Sequence, residues 1–207
     1  MTSKPANLTR IQSERRDEIL SSALEIFSKN GYKGASINKI AQAANMSTPR
    51  LLYHFSDKEK LYSDLLSSTL SLWIDPLEFI GQTDDAVEEI CNYVRRKIEM
   101  SRDYPRESRL FASEILIGIE RADDSLFDPL HQIFRDKIEL IQRWSNEGKI
   151  APVDPYHLIY SIWATTQHYA DFDVQIRTLS PQKMENLFDD AEAFLIPMYT
   201  KLLTPSR

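Results

Sequence analysis

The chain has 207 residues, 42% of them hydrophobic, enough to bury a substantial core. No run approaches the roughly 20 apolar residues of a bilayer-spanning helix. Met1 to Gln12 lacks the apolar stretch of a secretory signal, and the single cysteine, Cys91, cannot form an internal disulfide, so a cytoplasmic location without a membrane partner is expected. The net charge of −6 is unevenly divided: residues 1–60 carry ten Lys and Arg against six Asp and Glu, the remainder 15 against 25. A basic head on an acidic body suits a protein that meets a polyanion at one end.

Five glycines and no sustained apolar/polar alternation leave little room for sheet. The expected fold is all-α, with about nine helices in an N-terminal three-helix head and a C-terminal helical domain. Residues 1–12, polar and unpatterned, are expected to be a flexible arm. A first helix over Ser13 to Asn30 carries Ile19, Leu20, Ala23, Leu24 and Phe27 as one stripe, with Asn30-Gly31 as its stop. Ser36 caps a short second helix with Ile37, Ile40, Ala41 and Ala44 inward, and Asn45 supplies a left-handed turn. Ser47 caps a third, with Pro49 in its first turn and Leu51, Leu52 and Phe55 buried. Two short helices about a tight turn form a helix-turn-helix, placing a DNA-binding domain at 13–57.

Ser56-Asp57-Lys58-Glu59 has the form of a capping box and opens a long fourth helix with Leu61, Leu65, Leu66, Leu70 and Trp73 inward, ended or kinked by Asp75-Pro76. The remaining domain, 58–207, reads as further helices over 84–103, 106–120, 124–147, 155–175 and 183–203, punctuated by Gly and Pro.

Ser36 to Tyr62 resembles the head signature of the TetR family: Ile40-Ala41, Ala44, Ser47, Leu52-Tyr53-His54-Phe55, Lys58 and Leu61 stand at the family's spacing. Asn45 replaces the glycine usual there and keeps the left-handed geometry. The helix N-termini, with the Ser36 and Ser47 hydroxyls, suit phosphate contacts. The resemblance implies that Thr48, Pro49, Arg50, Tyr53 and His54 project toward the major groove of double-stranded operator DNA. Arg50 is the candidate for a bidentate guanine contact, and Tyr53, His54 and Lys58 for phosphates. It also implies a homodimer. The stripes Leu158, Ile159, Ile162, Trp163 and Leu187, Phe188, Ala191, Phe194, Leu195 fit either a dimer seam or internal core.

Two stretches, Ser101-Arg-Asp-Tyr-Pro-Arg-Glu-Ser-Arg-Leu-Phe111 and Ala151 to Phe172, together with Leu72-Trp73 near Pro76-Leu77, resemble the ligand-binding domain of the family's pyrimidine-utilisation regulators. This implies a small-molecule effector such as uracil or thymine, with Trp73, Trp163 and Gln167 in its pocket and Tyr169 and Asp171 at its border. Trp163 and Gln167 are i and i+4 on one face, and a Gln amide offers donor and acceptor to an imide edge. The same residues also fit a plain core, and a DNA binder answering to an unrelated small molecule or to none remains the alternative. Arg102, Asp103 and Arg109 read as a semi-buried charge network that orients helices.

No enzyme is expected. Ser36-x-x-Lys39 has the form of a nucleophile motif but falls inside the head without its usual partners. His54, His131, His157 and His168 lack zinc spacing, and no Gly-rich phosphate loop occurs, so neither a metal nor a cofactor is expected.

Overall fold

A computed structural model describes residues 10–118 and 124–205. The expected arm, 1–12, lies outside the described residues as far as position 9. Residues 10–12 are already helical, so the first helix reaches back past Ser13, with no Gly or Pro to interrupt Arg10 to Gln12. Among the described residues there are ten α-helices and no strand. They are α1 (Arg10–Gly34), α2 (Ile37–Ala43), α3 (Thr48–His54), α4 (Lys58–Glu78), α5 (Ala86–Asp103), α6 (Pro105–Leu116), α7 (Asp128–Asn146), α8 (Pro155–Asp171), α9 (Asp173–Leu179) and α10 (Leu187–Leu203). The chain divides into two compact units, Met1–Ser68 with Ser113–Asp123, and Thr69–Ala112 with Asp124–Arg207; α4 and α6 are shared between them.

In the first unit, Gly31 interrupts α1 at φ 65°, the break anticipated from Asn30-Gly31. Ile19, Ala23 and Phe27 are buried beside Ile40, Ala41, Leu51 and Phe55, and Phe27 meets Tyr62 edge-on at 4.6 Å between centroids. Leu52 differs from expectation: it is 41% exposed, because one helical step of about 100° turns it off the face that buries Leu51. The helix α4 begins one residue later than the capping box implies. Asp57, not Ser56, is therefore the cap, its carboxylate accepting from Lys60 N at 2.8 Å, and this bond holds its pKa below the usual carboxylate value. Pro76 neither ends α4 nor lies in its middle: two helical residues follow it, so its missing N–H falls in the last turn.

The second unit is built around α5, which packs most extensively against α8 and α10. Ile90, Val94 and Ile98 of α5 join Ile138, Ile141 and Trp144 of α7, Leu158, Ile159 and Ile162 of α8, and Leu195, Tyr199 and Leu203 of α10 in one core. Both apolar stripes of α8 and α10 thus serve mainly as internal core. Phe194 is the exception at 66% exposed; Met198 and Leu202 on α10, and Tyr156 and Tyr160 on α8, are exposed with it. The segment expected as one helix over 155–175 is two, parted at Phe172. Arg102 and Asp103 pair with each other at the surface, and Arg109 instead donates to the Ala170 carbonyl at 3.0 Å, so the three form no common network.

Candidate DNA-binding head and effector site

Ser36 has the extended backbone of an N-cap, and its hydroxyl accepts from Lys39 N at 3.3 Å. At the other end of α2, Asn45 lies at φ 51°, Asn45 N donates to Gln42 O and Met46 N to Ala41 O. These two bonds form a Schellman turn with asparagine in the left-handed position, and they set the abrupt entry into α3. Ser47 also has N-cap backbone geometry, but its hydroxyl makes no capping bond. Pro49 supplies no N–H, and Arg50 N donates instead to the Ser47 carbonyl at 3.0 Å. Thr48 Oγ1 reaches back to Asn38 Oδ1 at 2.9 Å, tying the two helices together.

The outer face of α3 carries Pro49, Arg50 and Tyr53, all exposed, Tyr53 at 78%. Tyr53 and the half-buried His54 lie edge to face, 5.5 Å between ring centroids. Arg50 makes no intramolecular hydrogen bond or ion pair through its side chain among the described residues, leaving a planar five-donor guanidinium to face outward. Two other cations brace the head, one of them at the end of the helix that carries Arg50. Arg16 pairs with Asp64, lies 4.2 Å from the Phe55 ring centroid, and donates to the His54 carbonyl at the end of α3. Lys58 donates to the Tyr32 and Ala35 carbonyls at 3.0 and 3.1 Å and lies over the Tyr32 ring. Lys58, expected at phosphates, has its ammonium held within the head by these two carbonyls, which lie beyond the break at Gly31.

In the second unit, Trp73 is 7% exposed, and the Lys97 ammonium of α5 sits 3.7 Å from its ring centroid. Trp73 Nε1 is buried and has no hydrogen-bond partner. Lys97 is 1% exposed, and burial pushes its pKa down to about 7, opposed by the Asp171 carboxylate. Asp171 accepts from Ser108 Oγ at 2.5 Å; burial raises its pKa, while Ser108, Arg109 and Lys97 act in the opposite sense. Ser101, one turn beyond Lys97, donates to the Thr166 carbonyl beside Gln167 and so fixes α5 against α8. Trp163 is half-buried; its Nε1 donates to Tyr93 Oη at 2.7 Å and its ring packs with Phe134 and Tyr160. Burial holds the Tyr93 hydroxyl far above the usual phenol pKa. Gln167 is half-buried, and Tyr169 lies 6.2 Å from Phe188 between ring centroids.

Lys97 has no counterpart among the residues expected from sequence. Its neighbours on α5 at three and four residues' distance, Tyr93, Val94, Met100 and Ser101, are all buried, so its helical position was the available signal. Among the described residues no cluster of His, Cys, Asp or Glu is arranged to hold a metal, and no helix is long and apolar enough to cross a membrane.

A capped helix-turn-helix with an exposed arginine on its second helix, joined to a separate helical unit, defines a DNA-binding transcriptional regulator. The chain belongs to the TetR family: residues 19–65 match the bacterial regulatory proteins of that family, and residues 66–206 the C-terminal region of the YcdC-like proteins. It is 42% identical over 172 residues to the HTH-type transcriptional regulator RutR of Escherichia coli K12, covering 83% of this chain and 81% of that one. A transcriptional regulator of Streptomyces coelicolor shares the fold, with a TM-score of 0.74 at 19% identity over 93% of this chain and 99% of that one. AibR, solved with isovaleryl coenzyme A and operator DNA, gives 0.67 at 19% identity, over 93% and 100%. The chain is a regulator and not an enzyme.

Proposed function

We propose that the protein is a homodimeric repressor that binds a palindromic operator and is released by a flat pyrimidine such as uracil or thymine. The observation that carries the effector half is the donor-rich environment of Trp73, where the Lys97 ammonium lies over a buried indole whose N–H is unanswered. The likeness to RutR over most of both chains supports it. Trp73 and Gln167 are the primary contacts, with Trp163, Tyr169 and Asp171 bordering them. The exposed Phe194, Met198 and Leu202 of α10, with Tyr156 and Tyr160 of α8, supply apolar surface for the partner protomer.

The two recognition helices of a dimer must stand about 34–36 Å apart to enter successive major grooves. One uninterrupted helix, α4, begins with Lys58 in the head and carries Trp73 in the second unit. Ligand contacts at Trp73 shift α4 and favour a dimer whose heads do not match the operator. A coupling of about 1–3 kcal/mol changes operator affinity roughly 5- to 150-fold.

A second reading, a TetR-type DNA binder answering to an unrelated small molecule or to none, draws on the engagement of Trp163 Nε1 by Tyr93, which removes that donor from ligand binding. One experiment decides between them. An operator is first selected from random DNA with the intact protein, and its affinity is then measured with and without uracil and thymine, for wild type and for Trp163→Ala and Gln167→Ala. Release of wild type by a pyrimidine, weakened in Gln167→Ala, is the expected result; a pyrimidine-indifferent wild type establishes the second reading. Sedimentation of the free protein as a monomer at micromolar concentration overturns the dimer.

A further inference from the structure

Lys97 is a cation without an answer inside the protein. Among the described residues it makes no hydrogen bond, and no carboxylate lies within 4 Å of its Nζ; its one close partner is the face of Trp73. Asp171, the acidic group that acts on it, is held by Ser108 and does not form a direct pair with it. Burying an ammonium without hydrogen-bond acceptors is costly, and the cation–π contact leaves its N–H donors unsatisfied. The second observation concerns the same indole: Trp73 Nε1, which can only donate, is buried and unpartnered. Two donors thus meet at one indole: an N–H in the ring plane with no partner, and an ammonium over the ring face with no hydrogen bond. What answers both is an acceptor, and oxygen bonded to an ammonium is the stronger, charge-assisted kind.

We infer that Lys97 and Trp73 Nε1 form the oxygen-reading end of the effector site, selecting a flat ring that bears carbonyl or carboxylate oxygens. This rests on the proposal that the second unit holds an effector, and it deepens that proposal by fixing the ligand's chemistry. Uracil and thymine, each with two carbonyl oxygens, satisfy it, and so does an aromatic carboxylate. Rings that offer only amines or ring nitrogens are poorer partners, since an aromatic ring nitrogen accepts more weakly than a carbonyl or carboxylate oxygen. Lys97 is then the residue that sets specificity, because a site built to bond an oxygen leaves its own buried donor unpaired when the oxygen is missing.

The test is calorimetric titration of the full chain with uracil, thymine, orotate and benzoate, alongside the oxygen-free rings pyrimidine and 2-aminopyrimidine. At least one oxygen-bearing ring is expected to bind, at least tenfold tighter than the oxygen-free rings. Lys97→Met should weaken that ring roughly 10- to 100-fold, the scale of one lost charge-assisted hydrogen bond. Trp73→Phe, which keeps a ring and removes the N–H, should weaken it about threefold to tenfold. If benzoate binds in a Lys97-dependent way while uracil, thymine and orotate do not, the pyrimidine proposal fails and the inference about Lys97 stands. Wild-type affinity in Lys97→Met, equal affinity for oxygen-free rings, or no binding by any oxygen-bearing ring overturns it. Should Lys97→Met not fold, unchanged affinity in Trp73→Phe does the same.

Discussion

The Lys58 ammonium donates to the Tyr32 carbonyl at 3.0 Å while lying 4.2 Å from the centroid of the same residue's ring. One cation thus closes the broken end of α1 and holds the first turn of α4 beside it, and with Arg16 it sets the frame in which α3 is presented. Lys58→Met should therefore lower the stability of the head by about 1–3 kcal/mol, the usual cost of leaving carbonyls unsatisfied. The logarithmic salt dependence of operator binding should keep the wild-type slope, because no phosphate contact is removed. Thermal unfolding and affinity at several salt concentrations check this; a slope reduced by about one with stability unchanged would return Lys58 to the DNA backbone.

Arg50 has the opposite character. Its guanidinium is exposed and makes no side-chain bond among the described residues. Arg50→Ala should leave the melting temperature within error and lose about 1–3 kcal/mol of discrimination at one base position. Binding to a set of single-substituted operators measures it: uniform loss across all of them would make Arg50 a phosphate contact.

Asn45 is strained in a way glycine is not, at φ 51° in the turn between α2 and α3. Asn45→Gly should be neutral or slightly stabilising, whereas Asn45→Ala should cost about 1 kcal/mol, since alanine keeps the Cβ and loses the local polar compensation. Chemical denaturation of the three proteins gives the comparison, and equal stability of the alanine variant would dismiss the strain.

These residues also show which features a sequence exposes. Ser36, Asn45 and Gly31 are legible because the bonds and backbone angles that define them lie within a few residues of each other. The TetR head is a run of such local features at fixed spacing, which is why the fold class follows from it. Lys58 was not legible, because its acceptors lie 26 and 23 residues earlier in the chain and exist only after α1 and α4 meet. The cap of α4 shifted by one residue because Ser56 and Asp57 are both capping residues, and only the backbone decides between them. Lys97 hid in the sequence Arg95-Arg96-Lys97, which has the look of a solvated charge run. Arg95 and Arg96 do point outward to Glu88 and Glu99, and one further helical step turns Lys97 into the core.

That burial has a measurable consequence for stability in the absence of any ligand. The pKa of Lys97 falls from 10.5 to about 7 in the folded protein, so between those values the unfolded chain binds the proton that the folded chain releases. Stability contributed at this site must then rise with pH from about 7 toward 10.5, and below about 7, where both states are protonated, the full penalty of the buried charge applies. Lys97→Met keeps the length of the side chain and removes the charge. It should raise stability at pH 6–7 by about 1–4 kcal/mol, several degrees in melting temperature for a chain of this size, and reduce the rise toward alkaline pH. Melting curves of wild type and variant from pH 6 to 9.5 read both effects, and a variant less stable than wild type at pH 6 would mean that Asp171 or a further acceptor already compensates the cation. A more stable variant with weakened response to oxygen-bearing rings would identify Lys97 as a charge retained for recognition at the expense of stability.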